Sequence, residues 1–162
     1  MAYKSYLSIP NIPGESADKG FLNQIDTFSF SLGASNPTTF SGAGKASFSD
    51  VNFLKPYDRS SPPLLRALAL GTNVAPRTGP GMILTLVNVA VGGTPTFLTY
   101  TFQDVYVSSV QDSGSSGGDS VPLQSLSFAF GIITEVYHVQ NTNGTLGPPV
   151  SVSYNIETNT IH

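Results

Sequence analysis

Apolar side chains fall on every second residue over several stretches of this chain. Phe28, Phe30 and Leu32 alternate with Thr27, Ser29 and Ser31; Leu126, Phe128 and Phe130 alternate with Ser127 and Ala129; Val150, Val152, Tyr154 and Ile156 alternate with Ser151, Ser153 and Asn155. A period of two is the spacing of a strand with one buried and one wet face, so each stretch predicts a strand with a greasy side and a side of small polar groups. Further strands are predicted at residues 3–9, 46–55, 82–91 and 97–110. Ile83, Leu84, Leu86 and Val87 put apolar groups on both faces, which predicts a central strand covered from two sides. Seven or eight strands then fill most of the chain.

The alternation changes phase partway along the longer runs. Leu98, Tyr100 and Phe102 point one way and Val105 and Val107 the other, with the slip at Gln103-Asp104; similar slips lie between Phe48 and Val51 and near residues 131–133. Bulges or sharp bends produce such slips, and a sheet needs them to curl into a barrel or to turn a corner. The prediction is an all-β, two-sheet β-barrel in one domain spanning residues 1–162.

One segment reads as a helix. Ser61 can cap it, Pro62 suits the first helical position, residues 64–70 are good helix formers, and Gly71 ends it. Gly, Ser, Asn and Pro gather at residues 34–44, 75–81, 111–120 and 141–149, which predicts loops within the one domain, since similar strands flank each.

Composition sharpens this picture. Only 10% of the residues are charged, against about 25% in an ordinary soluble domain. So neutral an exterior fits a surface covered by partner subunits, and it also fits a small monomer with a Ser/Thr-rich coat. Seven Lys and Arg and a net charge of −3 leave no basic stripe for phosphates, so nucleic acid is not an expected partner. With no cysteine there is neither a disulfide framework nor a thiolate metal site. Residues 1–14 carry no apolar run of signal-peptide length, and no stretch approaches the ~18 apolar residues of a membrane span. No membrane insertion is expected, and export needs a signal-peptide-independent route.

Candidate chemistry is thin. Gly42-Ala43-Gly44-Lys45 invites comparison with a phosphate loop, but Thr39 occupies the place of the first glycine, Ala46 that of the magnesium-binding hydroxyl, and a strand rather than a helix follows. The Asp/Ser/Gly run at residues 112–119 lacks the spacing and closing glutamate of a calcium loop and reads as a strand connection. His138 and His162 have no ligand spacing around them, and no Gly-x-Ser-x-Gly nucleophile turn occurs. Glu15, Asp18 and Asp26 could pair as catalytic carboxylates or serve as loop charges or subunit ion pairs. Asn143-Gly144-Thr145 has the form of a glycan acceptor, though Asn-Gly is also a strong turn dipeptide, and the turn is the reading adopted. No catalytic residue, metal site or cofactor is expected, and the chain does not read as an enzyme.

Taken in order, short segments of the chain resemble the Hcp family of the bacterial type VI secretion system. They are Ile12-Pro13-Gly14-Glu15-Ser16 with Asp18, Ile25-Asp26, Ser29-Phe30-Ser31-Leu32-Gly33 and Gly42-Ala43-Gly44-Lys45. The stretch from Phe53 through Lys55-Pro56-Tyr57-Asp58-Arg59 to Pro62 follows, then Leu68 to Gly71, Asp104 to Val110 and Leu126 to Phe130. No one of these is specific; their shared order and spacing along nearly the whole chain carry the likeness. The resemblance implies a two-sheet β-barrel with one short helix, whose subunits close into a homo-hexameric ring. Rings stack into an inner tube that a contractile sheath expels behind a spike protein, with effector proteins carried in the lumen. It implies a protein made in the bacterial cytoplasm and then secreted. It places Ser31 on a lumen-facing strand as an effector contact, and it makes residues 34–45 an arm reaching a neighbouring ring, with Gly42, Ala43, Gly44 and Lys45 in the ring-stacking loop.

The rival reading from another class is a monomeric carbohydrate- or ligand-binding β-sandwich, which the neutral Ser/Asn/Tyr surface would also serve.

Overall fold

The computed structural model describes residues 2–37, 44–89, 95–118 and 120–162. Two antiparallel sheets face each other across one core. The larger holds seven strands in the order β14 (Thr160–Ile161), β13 (Leu146–Asn155), β12 (Ile132–Gln140), β9 (Thr96–Gln103), β8 (Met82–Asn88), β1 (Tyr3–Ser8) and β2 (Ile25–Thr27). The smaller holds five: β3 (Ser29–Ser31), β6 (Val51–Pro56), β11 (Leu123–Ala129), β10 (Val105–Ser113) and β7 (Asn73–Ala75). A third, two-stranded piece, β4 (Ala34–Ser35) with β5 (Ser47–Phe48), stands off beside them. The architecture is all-β with one short helix, as the alternation predicts, and the two sheets curve over a shared core while keeping separate edges.

The phase slips mark the places where the chain passes from one sheet to the other, the usual way of making a corner. At Asp104, φ 61°, β9 of the large sheet becomes β10 of the small one. At Phe130-Gly131 the chain returns, from β11 to β12. The slip between Phe48 and Val51 separates β5 of the two-stranded piece from β6 of the small sheet. A further crossing, with no slip in the alternation, lies at Phe28, where β2 of the large sheet becomes β3 of the small one. These crossings break long runs into short elements, so strands outnumber the seven or eight expected. Phe28 is corrected by the same fact: it does not share a buried face with Phe30 and Leu32 but lies 63% exposed on the corner.

Loop boundaries shift as well. Ala34 and Ser35 belong to β4, Gln111 to Ser113 extend β10, and Leu146 to Pro149 open β13. Pro148 and Pro149 are tolerated because β13 has a strand on only one side there, β14 pairing no earlier than Tyr154. β8 lies inside the large sheet between β1 and β9, and Leu84 and Val87, on its opposite faces, are both fully buried.

Helix α1 (Ser61–Leu70) buries Leu64 and Ala67 against the core. Gly71 closes it at φ 68°, its N–H and that of Thr72 returning to the carbonyls of Leu68 and Ala67. The cap differs from the expectation: Ser60 holds the N-cap position, Pro62 follows Ser61 inside the first turn, and neither serine hydroxyl caps the helix. Both are committed elsewhere. Lys55 is fully buried on β6, and its ammonium donates to Asp58 Oδ1 at 2.9 Å, Ser61 Oγ at 2.9 Å and the Pro56 carbonyl at 3.1 Å. Three donors meet three acceptors, which lets a charge sit in the interior. Asp58 accepts in addition the N–H and hydroxyl of Ser60, so the clasp ties the helix to the sheet.

Candidate functional site

The large sheet is wider than the sheet that covers it, and the difference leaves an apolar surface open. Strand register places Leu86, Leu98, Tyr137 and Val150 in one row across β8, β9, β12 and β13, all on the core side. Along that row burial falls away: Leu86 is 3% exposed, Tyr137 38% and Val150 64%. The neighbouring row runs from Leu7 and Leu84, both fully buried, through Tyr100 and Glu135 to Val152, which is 40% exposed. Ile161 on edge strand β14 is 68% exposed. One continuous inner face is thus a core at one end and solvent-exposed at the other.

Where β4 and β5 lean over this face they enclose a groove of about 660 Å³, floored by Tyr100, Ile133, Val152 and Tyr154 and walled by Leu32 and Phe48. Phe48 stacks on Tyr154 with ring centroids 5.3 Å apart and meets Phe130 edge-on at 6.1 Å. Glu135 lines the same groove. Burial, followed by the charge of Glu135, raises the pKa of the Tyr100 phenol above its usual value.

The outward face of the small sheet has the opposite character. Ser29 and Ser31 are both exposed there, Ser31 lying directly across from Asn52, and Asn52 from Ser127. Asn52 Nδ2 donates to Ser31 Oγ at 3.3 Å, and the Ser127 hydroxyl donates to Asn52 Oδ1. Beside this row Ser108 donates to Asp50 at 2.5 Å. The result is a polar ledge of hydroxyls and one amide, with the Asp50 carboxylate at its border. Ser31 is brought into it as a small polar group; Asn52 and Ser127 have no sequence signature, because only strand pairing reveals that they adjoin Ser31.

The base of the arm is clipped shut. Ser49 Oγ both accepts from Gly33 N–H and donates to the Gly33 carbonyl, each at 3.0 Å, and Ser49 N–H reaches the same carbonyl at 2.9 Å. Further out, a Cβ on Gly44 would lie 3.0 Å from Pro37 Cγ, so the two limbs touch at that glycine. Lys45 is exposed; Gly42 and Ala43 lie outside the described residues.

Of the remaining candidates, Glu15, Asp18 and Asp26 line one shared cavity, whereas the two histidines lie elsewhere. His138 Nδ1 lies 3.2 Å from the Gly147 carbonyl and donates to it, and His162 pairs through its backbone with Ser153 on the sheet edge. Glu15 accepts from Arg59 N–H at 2.7 Å, while Asp18 takes the Tyr6 hydroxyl and Lys4. Those two bonds hold the Asp18 carboxyl below its usual range, whereas partial burial and then the charge of Asp18 push Asp26 up. Asp112 accepts from Gln124 rather than facing a cation. Among the described residues no group of three or more His, Cys, Asp or Glu is placed to hold a metal. No helix among them is long and apolar enough to cross a membrane.

Comparison with known proteins adds the following. Residues 6–137 match the family model described as type VI secretion system effector, Hcp. The chain is 30% identical over 165 residues to protein hcp1 of Pseudomonas aeruginosa, covering 98% of each. It superposes on a solved type six secretion system protein with a TM-score of 0.91 at 30% identity, covering 99% of this chain and 100% of the other. It also superposes on Hcp1 from Salmonella typhimurium, with a TM-score of 0.83 at 27% identity and full coverage of both chains.

Proposed function

We propose, from the premise that this chain belongs to the Hcp family of type VI secretion proteins, that it works as a homo-hexameric ring subunit of the secretion tube. The observation that carries this reading is the half-covered inner face. Tyr137, Val150, Val152 and Ile161 continue adjacent core rows into solvent, and a face of that kind is complete only when another surface is laid on it. A second copy is the natural cover, because head-to-tail contacts between identical subunits close into a ring when the rotation allows. Such contacts also shield the edge of β14, which is otherwise open to pairing.

In this reading residues 1–162 form one structural domain, the exposed hydroxyl ledge at Ser31 lines the lumen, and effector proteins contact it there. The arm, with Gly44 and Lys45 on its returning limb, meets the next ring. The chain resides in the bacterial cytoplasm before a contractile sheath drives the tube outward behind its spike, and is secreted on firing. Its contribution is structural rather than catalytic.

Mass in solution tests the ring. The purified chain is expected as one species of about six chain masses, with rings visible by negative-stain microscopy. Tyr137→Arg or Val150→Asp is expected to disperse it to single chains with an unchanged far-UV spectrum. A wild-type chain that stays a lone particle at all working concentrations overturns the proposal and favours the monomeric sandwich.

A further inference from the structure

Two clefts on the protomer carry a single charge each, and the charges are opposite. In the apolar groove of the open inner face, Glu135 is the one charged residue among the described ones, half-buried with Ile133, Val152 and Tyr154. Among the described residues its carboxylate has neither an ion pair nor a hydrogen bond. A surface laid over the groove strips the remaining water from that carboxylate, which is unfavourable unless the cover brings a cation to it. The second cleft, of about 500 Å³, runs between α1 and the turns at residues 10–12 and 76–80, and Arg66 is its one charged residue. Arg66 is exposed and bonds no carboxylate among the described residues. It shares the outward side of the helix with Leu65 and Leu70, which are 51% and 66% exposed. The two clefts have no lining residue in common, so their charges meet only between copies.

We infer that Glu135 of one protomer pairs with Arg66 of the next, the outer face of α1 seating on the apolar groove. The pair rests on the ring reading above and names the contact that closes the ring. Elimination among the seven Lys and Arg leads to Arg66. Lys4 bonds Asp18, Lys55 is enclosed in its clasp, Arg59 donates to the Gly14 carbonyl, and Arg77 is held between Asp104 and Glu157. Lys45 belongs to the arm, which in the ring reading meets a different ring. Lys19 follows Asp18 directly, and that carboxylate would be drawn against Glu135 along with it, whereas no carboxylate lines the cleft of Arg66. A guanidinium is also the cation best suited to a covered contact, being permanently charged, weakly hydrated and able to form two parallel bonds to a carboxylate. Because the two patches differ, the contact is head-to-tail, the kind that closes rings.

Charge reversal in the full chain, read by mass in solution, tests the pair. Glu135→Arg alone and Arg66→Glu alone each set like charges against each other at every contact. Each is expected to raise the protein concentration needed for assembly at least about thirtyfold, with an unchanged far-UV spectrum. Mixed in equal amounts, the two variants are expected to recover a species of about six chain masses, because alternation around an even-numbered ring gives every contact one acid and one cation. The double variant, Glu135→Arg with Arg66→Glu, is expected to assemble by itself. Rings formed by either single variant at wild-type concentrations overturn the pair, as does a mixture that stays dispersed while the wild type forms rings. A wild type that forms no rings instead fails the ring reading itself, and the pair falls with it.

Discussion

Gly131 and Asp104 meet where the two corners of the fold cross. The Gly131 N–H donates to the Asp104 carbonyl at 3.2 Å and to that of Gln103 at 3.1 Å, and a Cβ on Gly131 would stand 3.0 Å from Asp104 Cβ. One strand leaves the large sheet at Asp104 and another returns to it at Gly131, so a single contact aligns both crossings. Asn73 and Arg77 brace it, donating to Asp104 at 2.9 and 2.8 Å, and Arg77 also bonds Glu157 at 2.6 Å, which pins the turn after β13 to the same corner.

Glycine substitutions should rank by what the new methyl meets. At Gly14 a Cβ would lie 2.5 Å from the Gln24 carbonyl oxygen and 2.6 Å from Ile25 Cα, both backbone atoms that cannot swing aside. Gly14→Ala is expected to cost about 3 kcal/mol and Gly131→Ala, which presses on a side chain, about 1 kcal/mol. Urea unfolding of both variants measures the difference, and the reverse order contradicts the packing described.

Cutting the Lys55 clasp should be expensive in one direction. Asp58→Ala leaves a fully buried ammonium without its counter-charge and is expected to cost about 3–5 kcal/mol. Lys55→Met combined with Asp58→Ala removes both charges and should recover part of that loss. A double variant no more stable than Asp58→Ala, by denaturant titration, shows that the ion pair is not what holds β6 to α1.

Stability should respond to acid through Asp26. Its folded pKa is raised, chiefly by partial burial and then by the charge of Asp18, so the folded state takes up a proton at higher pH than the unfolded chain. The carboxylate is a liability at neutral pH that is relieved as pH falls from above its raised value toward the ordinary aspartate range. Asp18, with its lowered pKa, acts in the opposite sense at lower pH, losing its contribution as it protonates. Asp26→Asn is expected to raise the neutral-pH melting temperature and flatten the gain on mild acidification. A variant whose melting temperature tracks the wild type across that window rules the effect out.

The ledge at Ser31 should tolerate size poorly where cargo is concerned. Ser31→Gln enlarges an exposed side chain on the outward face, away from the buried residues of β6 and β11, so ring assembly is expected to persist. Retention of a cognate effector in a pull-down is expected to fall severalfold. Unchanged retention removes Ser31 from the contact.

The strands and their faces were legible because burial on one side of a sheet writes itself into alternate positions. Even the corner at Gln103-Asp104 showed as a slip in phase. The Ser31 ledge was legible only in one member, since Asn52 and Ser127 are joined to it by register rather than by spacing along the chain. Phe28 was misjudged for a related reason: alternation records which residues are apolar, whereas exposure depends on which sheet the backbone has entered.

The order of side chains alone therefore determined an all-β chain with one helix ended by Gly71, and the family to which its co-linear segments point. Tertiary structure alone decided that the row from Leu86 through Tyr137 to Val150 is a core at one end and an open face at the other. Every residue of that row carries the same local signal. What differs is whether the second sheet extends far enough to cover it, and five strands cannot roof seven.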